Sequence, residues 1–127
     1  PASHILRLAA FALDGEIKEA RGDLDGAIEA YTRAIELQDA SNYTEPPDWS
    51  QSMRLYLGAV LLDAGRPAEA EAVYRKDMEW NQQNGWATFG LTQALEAQGK
   101  HQEAVITKRQ FDSFWRNADV TLTRSRL

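Results

Sequence analysis

The chain has no cysteine among its 127 residues and only two histidines. The lack of cysteine excludes disulfides, thiolate zinc sites and cysteine nucleophiles together, and it fits a reducing compartment such as the cytoplasm. No apolar run approaches the roughly 18 residues that a membrane-spanning helix needs, and the start lacks the basic-then-apolar layout of a signal peptide. We therefore expect a cytoplasmic protein that does not enter a membrane.

The residues that usually carry chemistry are also sparse. His4 and His101 are far apart in the chain, and neither has the carboxylate–histidine spacing of a metal site. No Gly-x-Ser-x-Gly elbow and no glycine-rich phosphate loop occurs. The many carboxylates of the first thirty residues are more typical of a solvated acidic face than of an acid–base pair in a cleft. We predict no catalytic residue, no cofactor and no metal, and thus no enzyme.

Charge is unevenly distributed along the chain. The net charge of −5 argues against nucleic acid as a partner. Residues 100–127 hold 6 basic and 3 acidic side chains, which leaves 8 basic and 16 acidic ones in residues 1–99. An acidic body with a basic end can orient a charged partner or a neighbouring subunit.

A repeat of 34 residues is the main pattern that is present. Gly65 and Gly99 are 34 residues apart, and three more pairs keep this spacing: Leu57 with Leu91, Leu61 with Leu95, and Ala70 with Ala104. Gly22 precedes Gly65 by 43 residues, one period plus nine. The nine extra residues fall at 39–47, which is rich in turn formers and contains Pro46-Pro47.

Apolar residues recur every three or four positions on both sides of each glycine, so each unit is predicted to be a pair of helices. Asp48, with Gln51 three residues later, resembles a capping box that opens the third helix. The predicted single domain 1–127 contains hairpin 1 at 4–38 (helices 4–21 and 24–38), the insertion 39–47, hairpin 2 at 48–82 (helices 49–64 and 67–82), hairpin 3 at 85–117 (helices 85–98 and 101–117), and a tail at 118–127.

This arrangement resembles the tetratricopeptide (TPR) family, whose first helix carries a bulky residue, Leu-Gly and a second bulky residue, and whose second helix carries Ala-x3-aromatic. The matching positions are Phe11, Gly15, Ala27 and Tyr31; Leu57-Gly58, Leu61, Ala70 and Tyr74; and Leu91, Leu95 and Ala104, with Lys108 in place of the third aromatic. The resemblance covers about residues 5–117. It implies an all-α, right-handed superhelical stack of three TPR-type hairpins, about six helices, with a Pro-rich loop inserted between hairpins 1 and 2.

Two stretches, Tyr43–Trp49 and Ala118–Thr123, are similar to a bacterial subfamily of longer TPR proteins. This similarity implies that the chain is the C-terminal part of such a protein. The start at Pro1, without methionine, agrees with this interpretation.

The resemblance also implies a groove lined by the first helix of each hairpin, where partner proteins or peptides bind. Its predicted lining residues are Glu16, Glu19, Leu55, Ala59, Leu62, Trp86, Phe89, Gln93 and Glu96. For Trp86, packing within the fold is an equal alternative, and for Phe89 it is the favoured one. Chaperone-binding relatives hold a carboxylate with lysine and asparagine, but Glu16, Ala59 and Gln93 occupy those positions here. An acidic and apolar groove favours a basic or aromatic peptide instead.

Two further segments have open interpretations. Tyr43, Pro46, Pro47 and Trp49 have the composition of an interface loop, although folding back to seal the seam between hairpins is favoured. The tail is expected to run along the last helix or to meet another chain. We predict a non-catalytic protein-interaction or scaffolding module. The alternative is an oligomerisation or accessory domain of a larger enzyme, and a homo-oligomer stays open.

Overall fold

The structure, a computed structural model, describes residues 2–44, 52–80, 85–115 and 125–126. Within these ranges it contains six helices and no strand: α1 (Ala2–Ala20), α2 (Leu24–Thr44), α3 (Met53–Asp63), α4 (Pro67–Trp80), α5 (Gly85–Ala97) and α6 (His101–Trp115). Each helix packs on the next in chain order, and α3 also contacts α5. The predicted all-α fold of three helical hairpins is confirmed. None of the helices in the described part combines the length and apolar character that crossing a bilayer requires.

The glycine of each hairpin turn has the same conformation in all three units. Gly22, Gly65 and Gly99 have φ angles of 80°, 73° and 78°, the left-handed region that glycine enters without a steric penalty. In each turn the glycine N–H and the next N–H bond back to carbonyls of the preceding helix, as in Gly65 to Leu62 and Arg66 to Leu61. This pairing is the Schellman motif, so the repeated glycines end α1, α3 and α5 in the same way.

A buried alanine lets the two helices of each hairpin approach closely. Ala27, Ala70 and Ala104 are at most 2% exposed. Each alanine N–H donates to the carbonyl of the residue that precedes its helix, as from Ala70 to Arg66. The predicted positions of these alanines between paired helices therefore agree with their burial.

A tyrosine of the second helix packs against a glycine of the first. A Cβ atom on Gly15 would lie 2.4 Å from Cε1 of Tyr31, and one on Gly58 would lie 2.3 Å from Cζ of Tyr74. Tyr74 also reaches the next hairpin, where a Cβ on Gly90 would lie 2.2 Å from its Cζ. These distances are too short for any side chain, so the Tyr74 ring fits between α3 and α5 only because both positions are glycine.

The second helix is longer than predicted. It continues to Thr44 through the first part of the expected insertion 39–47. Two contacts with α3 lie where this extension begins: Gln38 Oε1 accepts from the Met53 N–H at 2.8 Å, and Asp39 pairs with both terminal nitrogens of Arg54 at 2.8 and 2.7 Å. These long-range contacts favour helix where the local sequence favours a turn.

The third helix begins at Met53 rather than near residue 49. Its N-cap is Ser52, whose side chain accepts from the Arg54 N–H at 3.3 Å. The predicted cap residues Asp48 and Gln51 lie outside the described residues. The Gln38 side chain supplies a second acceptor at this end. The free N–H groups at the start of α3 therefore donate to a residue of α2 as well as to the N-cap.

Glu71 joins hairpins 2 and 3. It lies on α4, where it pairs with Arg75 at 2.8 Å, and it also accepts from Gln98 and Lys100 at the turn after α5, at 2.8 and 3.0 Å. The hydrogen bond from Arg75, followed by those from Gln98 and Lys100, lowers the pKa of Glu71 to about 2 against the opposing effect of burial. The carboxylate is therefore ionised over the whole physiological range.

Candidate functional site

The first helices of hairpins 1 and 2 form a surface that holds a distant segment of the same chain. We call this surface the A-helix groove and define it by Glu16 and Glu19 on α1 and by Leu55 and Tyr56 on α3. The hydroxyl groups of Tyr31 and Tyr74 reach it from α2 and α4. The segment in the groove is Ser125–Arg126, which lies near the far end of the sequence.

The side chain of Arg126 lies between the two hairpins. Its Nη1 donates to Glu19 Oε2 at 2.6 Å and to the Tyr31 hydroxyl at 3.2 Å, and its Nη2 donates to Glu16 Oε1 at 3.4 Å. The guanidinium carbon lies 4.2 Å from the centre of the Tyr56 ring, a distance typical of a cation–π contact. We call the site formed by these four residues the arginine pocket.

The Tyr31 hydroxyl links the carboxylate to the guanidinium. It donates to Glu19 Oε2 at 2.6 Å. Burial, together with this bond, raises the pKa of Tyr31. Because its proton points to Glu19, the Tyr31 oxygen accepts from Arg126. Burial opposes the charge of Arg126, but Glu19 and Tyr31 outweigh it and raise the pKa of the guanidinium. The pocket therefore suits a permanent cation.

The serine before Arg126 is held by two hydrogen bonds. Its hydroxyl donates to the backbone oxygen of Leu55 at 2.8 Å and lies 2.7 Å from the Tyr74 hydroxyl. Because a serine has one hydroxyl proton, and Leu55 receives it, Tyr74 is the donor in the second bond. Ser125 is 1% exposed, so its side chain fills a small buried polar position.

The two tyrosines of the repeat pattern thus have a second function. Their rings pass close to Gly15 and Gly58, and their hydroxyls reach the groove side of the stack. Tyr56 is an additional aromatic residue of this site, with its ring centre 5.7 Å from that of Tyr31. The repeat glycines therefore position two hydroxyl groups in the groove as well as allowing close packing.

The predicted groove residues of hairpins 1 and 2 differ in the groups that they direct into the groove. Glu16 and Glu19 contact Arg126 through their side chains. Leu55 offers its backbone carbonyl, while its side chain belongs to the core. Ala59 is buried and Leu62 packs against the core. The structure thus brings Glu16, Glu19 and the Leu55 carbonyl together at the bound segment.

The predicted groove residues of hairpin 3 pack against the core or line a cavity. Trp86 packs against the core. Phe89 packs on Phe111 of α6, with ring centres 5.2 Å apart. A cavity of about 270 Å³ lies beside this pair, and its lining residues are Phe89, Thr92, Gln93, Glu96, Lys108 and Phe111. Lys108 replaces the repeat tyrosine at this place, and Thr92 replaces the repeat glycine, so the cavity marks the position of the missing aromatic ring.

The prediction for the tail was wrong at its described residues. Ser125 and Arg126 contact α1 to α4 and do not run along the last helix. The remaining tail residues lie outside the described part, as do Pro46, Pro47 and Trp49 of the predicted interface loop. Tyr43 lies in α2, and its side chain is not among those described.

Sequence reasoning missed five site residues: Tyr31, Tyr56, Tyr74, Ser125 and Arg126. The signal that could have found Arg126 was the charge distribution, since an acidic groove and a basic end occur in one chain. No comparable signal marks Ser125. Among the described residues, no group of three histidine, aspartate or glutamate side chains is placed to hold a metal ion.

The six helices and the repeated turns define a TPR-type helical repeat fold. A solved structure titled "Crystal structure of MamA protein" is similar to this chain, with a TM-score of 0.70 and 20% sequence identity. The match covers 91% of this chain and 60% of the MamA chain, so this chain spans less than two thirds of that protein's length. At this identity the likeness shows the fold. No protein-family model matches the sequence, and no curated protein matches it.

Proposed function

We propose that this chain is a non-catalytic interaction module that binds an extended segment of a partner protein in the A-helix groove. The observation that carries the proposal is the groove's hold on Ser125–Arg126, through side chains of Glu16 and Glu19 and the backbone of Leu55. Side-chain and main-chain contacts from two hairpins are what recognition of an extended peptide requires. The TPR-type fold supports the same function, because folds of this type generally bind proteins.

A peptide-display selection tests the proposal. A random peptide library is panned on the full chain and on an Arg126→Ala chain, since the variant leaves the arginine pocket without the chain's own arginine. We expect enriched peptides whose binding is lost on a Glu16→Lys chain, because Glu16 is half-exposed and faces the bound segment. Glu29→Lys is the matched control, since Glu29 is exposed on α2 and pairs with Arg33 one turn away. Enrichment unaffected by Glu16→Lys in both chains would contradict the proposal.

Self-association through an end of the stack is a second candidate function. It is favoured by the outer face of α1, where Leu6, Leu13 and Ile17 are 70%, 57% and 41% exposed. Apolar side chains at such spacing usually pack against another helix. We infer that either a second copy or a preceding hairpin of a longer TPR protein covers this face. Sedimentation of the chain and of a Leu13→Lys variant tests the first possibility: a dimer that the lysine dissociates supports it, and a monomer at high concentration removes it.

A further inference from the structure

We propose that the arginine pocket is a specific site for an arginine side chain of the partner segment, preceded by a small hydroxyl residue, and that Arg126 is a built-in competitor for it. This inference deepens the proposed function and rests on it. It follows from the chemistry of the pocket and from which residues of the chain occupy it.

The pocket fits a planar cation rather than a point charge. The Tyr56 ring lies against the guanidinium at 4.2 Å, while the carboxylates of Glu19 and Glu16 receive different terminal nitrogens. A guanidinium can stack through its face and donate through its edge at the same time, because its donors lie in one plane. A lysine ammonium cannot stack on the Tyr56 ring and donate to both carboxylates in this way. The site therefore distinguishes arginine from lysine.

The Glu19 side of the pocket is largely buried while Arg126 fills it. The side chain of Glu19 is 13% exposed and that of Arg126 is 15% exposed. A carboxylate this far from water is stabilised most by a cation in direct contact, as at the 2.6 Å distance between Arg126 and Glu19. When Arg126 leaves, the pocket favours replacement by another guanidinium. Exchange of one arginine for another is thus favoured over an empty pocket.

The buried position that Ser125 occupies selects the residue that precedes the arginine. The Ser125 hydroxyl accepts from Tyr74 and donates to the Leu55 carbonyl, and this position is 1% exposed. A bulky side chain does not fit there, and an alanine would leave the Tyr74 hydroxyl without this acceptor. The groove thus recognises two adjacent side chains in one register, a small hydroxyl residue followed by arginine.

Attachment to the same chain makes Ser125–Arg126 a strong competitor. A linked segment competes at an effective concentration that is on the order of millimolar for short linkers. A partner segment with the same two side chains must therefore displace it, and its apparent affinity equals its intrinsic affinity multiplied by the fraction of pockets that are open. The partner is expected to bind better when the chain's own arginine is removed.

Binding of a labelled synthetic peptide that copies residues 122–127, Leu-Thr-Arg-Ser-Arg-Leu, tests the proposal. Its affinity is measured by fluorescence anisotropy for the full chain and for the Arg126→Ala chain. We expect the peptide to bind the Arg126→Ala chain about tenfold more tightly than the unchanged chain. Adding Glu19→Gln to the Arg126→Ala chain should abolish this gain, whereas adding Glu36→Gln, an exposed carboxylate of α2, should preserve it.

Peptide variants keep the test independent of protein folding. Replacing the peptide's second arginine, as Arg126→Lys, should weaken binding to the Arg126→Ala chain about tenfold or more, because lysine cannot stack on Tyr56 and donate to both carboxylates at once. The matched control is Arg124→Lys in the peptide, which keeps the same net charge and should have little effect. Equal affinities of the two lysine variants would show that the pocket does not recognise the arginine at position 126 specifically, and this would overturn the proposal.

Two other outcomes would also overturn it. Equal peptide affinity for the unchanged and the Arg126→Ala chains would show that Arg126 does not compete. An unchanged chain that sediments as a dimer, and an Arg126→Ala chain that sediments as a monomer, would assign the bound arginine to a second copy. Groove-dependent peptides from the display selection would still support the proposed function in each of these cases, so the two failures are distinguishable.

Discussion

The guanidinium carbon of Arg126 lies 4.2 Å from the centre of the Tyr56 ring, although the residues are 70 positions apart in the chain. Glu16 and Glu19 of hairpin 1 hold the same guanidinium that Tyr56 of hairpin 2 stacks against. One side chain therefore bridges the joint between two repeats. The groove and the stacking of the hairpins depend on each other through this contact.

Adding a methyl group at Gly58 should destabilise the protein. The new Cβ of Gly58→Ala would lie 2.3 Å from Cζ of Tyr74, whose ring is fully buried. Overpacking of this kind costs about 1–3 kcal/mol, and the better helix propensity of alanine offsets about 1 kcal/mol. We expect a net loss of up to about 2 kcal/mol in the free energy of unfolding, measured by urea denaturation.

The same substitution in a Tyr74→Leu chain is the matched control. Leucine does not extend to the position of Cζ, so Gly58→Ala should then be neutral or slightly stabilising. An equal loss in both backgrounds would mean that the Tyr74 ring does not pack on Gly58.

Enlarging Ala70 should overpack the contact between α3 and α4. Ala70 is fully buried, so Ala70→Leu is expected to lower the free energy of unfolding by about 1–3 kcal/mol. Ala72→Leu, two residues along the same helix at an exposed position, is the control and should change stability by no more than about 0.5 kcal/mol. Similar thermal unfolding of the two variants would place Ala70 outside the helix interface.

The ionised Glu71 should make the joint between hairpins 2 and 3 sensitive to acid. Its pKa in the folded chain is about 2, below its ordinary value of 4.5. A lowered folded-state pKa stabilises the fold above the ordinary value, and this stabilisation is lost as pH falls from about 4.5 toward 2. Glu71→Gln should therefore lower stability at pH 7, by about 1–2 kcal/mol, and this difference should shrink at pH 3.

The control for this pH dependence is Glu69→Gln. Glu69 lies in the same helix but is more than half exposed, and it pairs with Arg66 at the surface. Its replacement should have little effect on urea unfolding at either pH. If the stability difference for Glu71→Gln were the same at pH 7 and pH 3, the links from Glu71 to Gln98 and Lys100 would not stabilise the joint.

Removing Asp39 should loosen the extended end of α2. The bidentate pair between Asp39 and Arg54 is mostly buried on the arginine side, where only 12% of the side chain is exposed. Asp39→Ala leaves that guanidinium without its carboxylate and should cost about 1–3 kcal/mol. Glu36→Ala, on an exposed position one turn earlier, should change unfolding by less than about 0.5 kcal/mol. Equal effects would indicate that α2 ends before Asp39.

The parts of the fold that follow from local repetition could be predicted from the sequence. The left-handed glycines Gly22, Gly65 and Gly99 end their helices as expected, because a Schellman turn needs a residue with positive φ wherever it occurs. The length of α2 could not be predicted, because Gln38 and Asp39 bond to residues of α3 that local sequence does not identify.

The groove was predictable only in part. Glu16 and Glu19 follow from their position on the first helix, and the acidic groove favours a basic partner. The positions of the Tyr31 hydroxyl and of the Tyr56 ring depend on how the two hairpins pack. The repeat pattern does not specify this packing. Arg126 lies 107 residues from Glu19, so only the charge of the two regions, and no spacing rule, connects them.

The central claim is that the A-helix groove holds the Arg126 side chain against Glu19. A double-mutant cycle measures this contact most directly, with urea unfolding of the unchanged chain, Arg126→Ala, Glu19→Gln and the double variant. For a charged hydrogen bond of 2.6 Å that is largely shielded from water, we expect a coupling free energy of about 1–2 kcal/mol. Additive effects of the two substitutions, with a coupling near zero, would contradict the account.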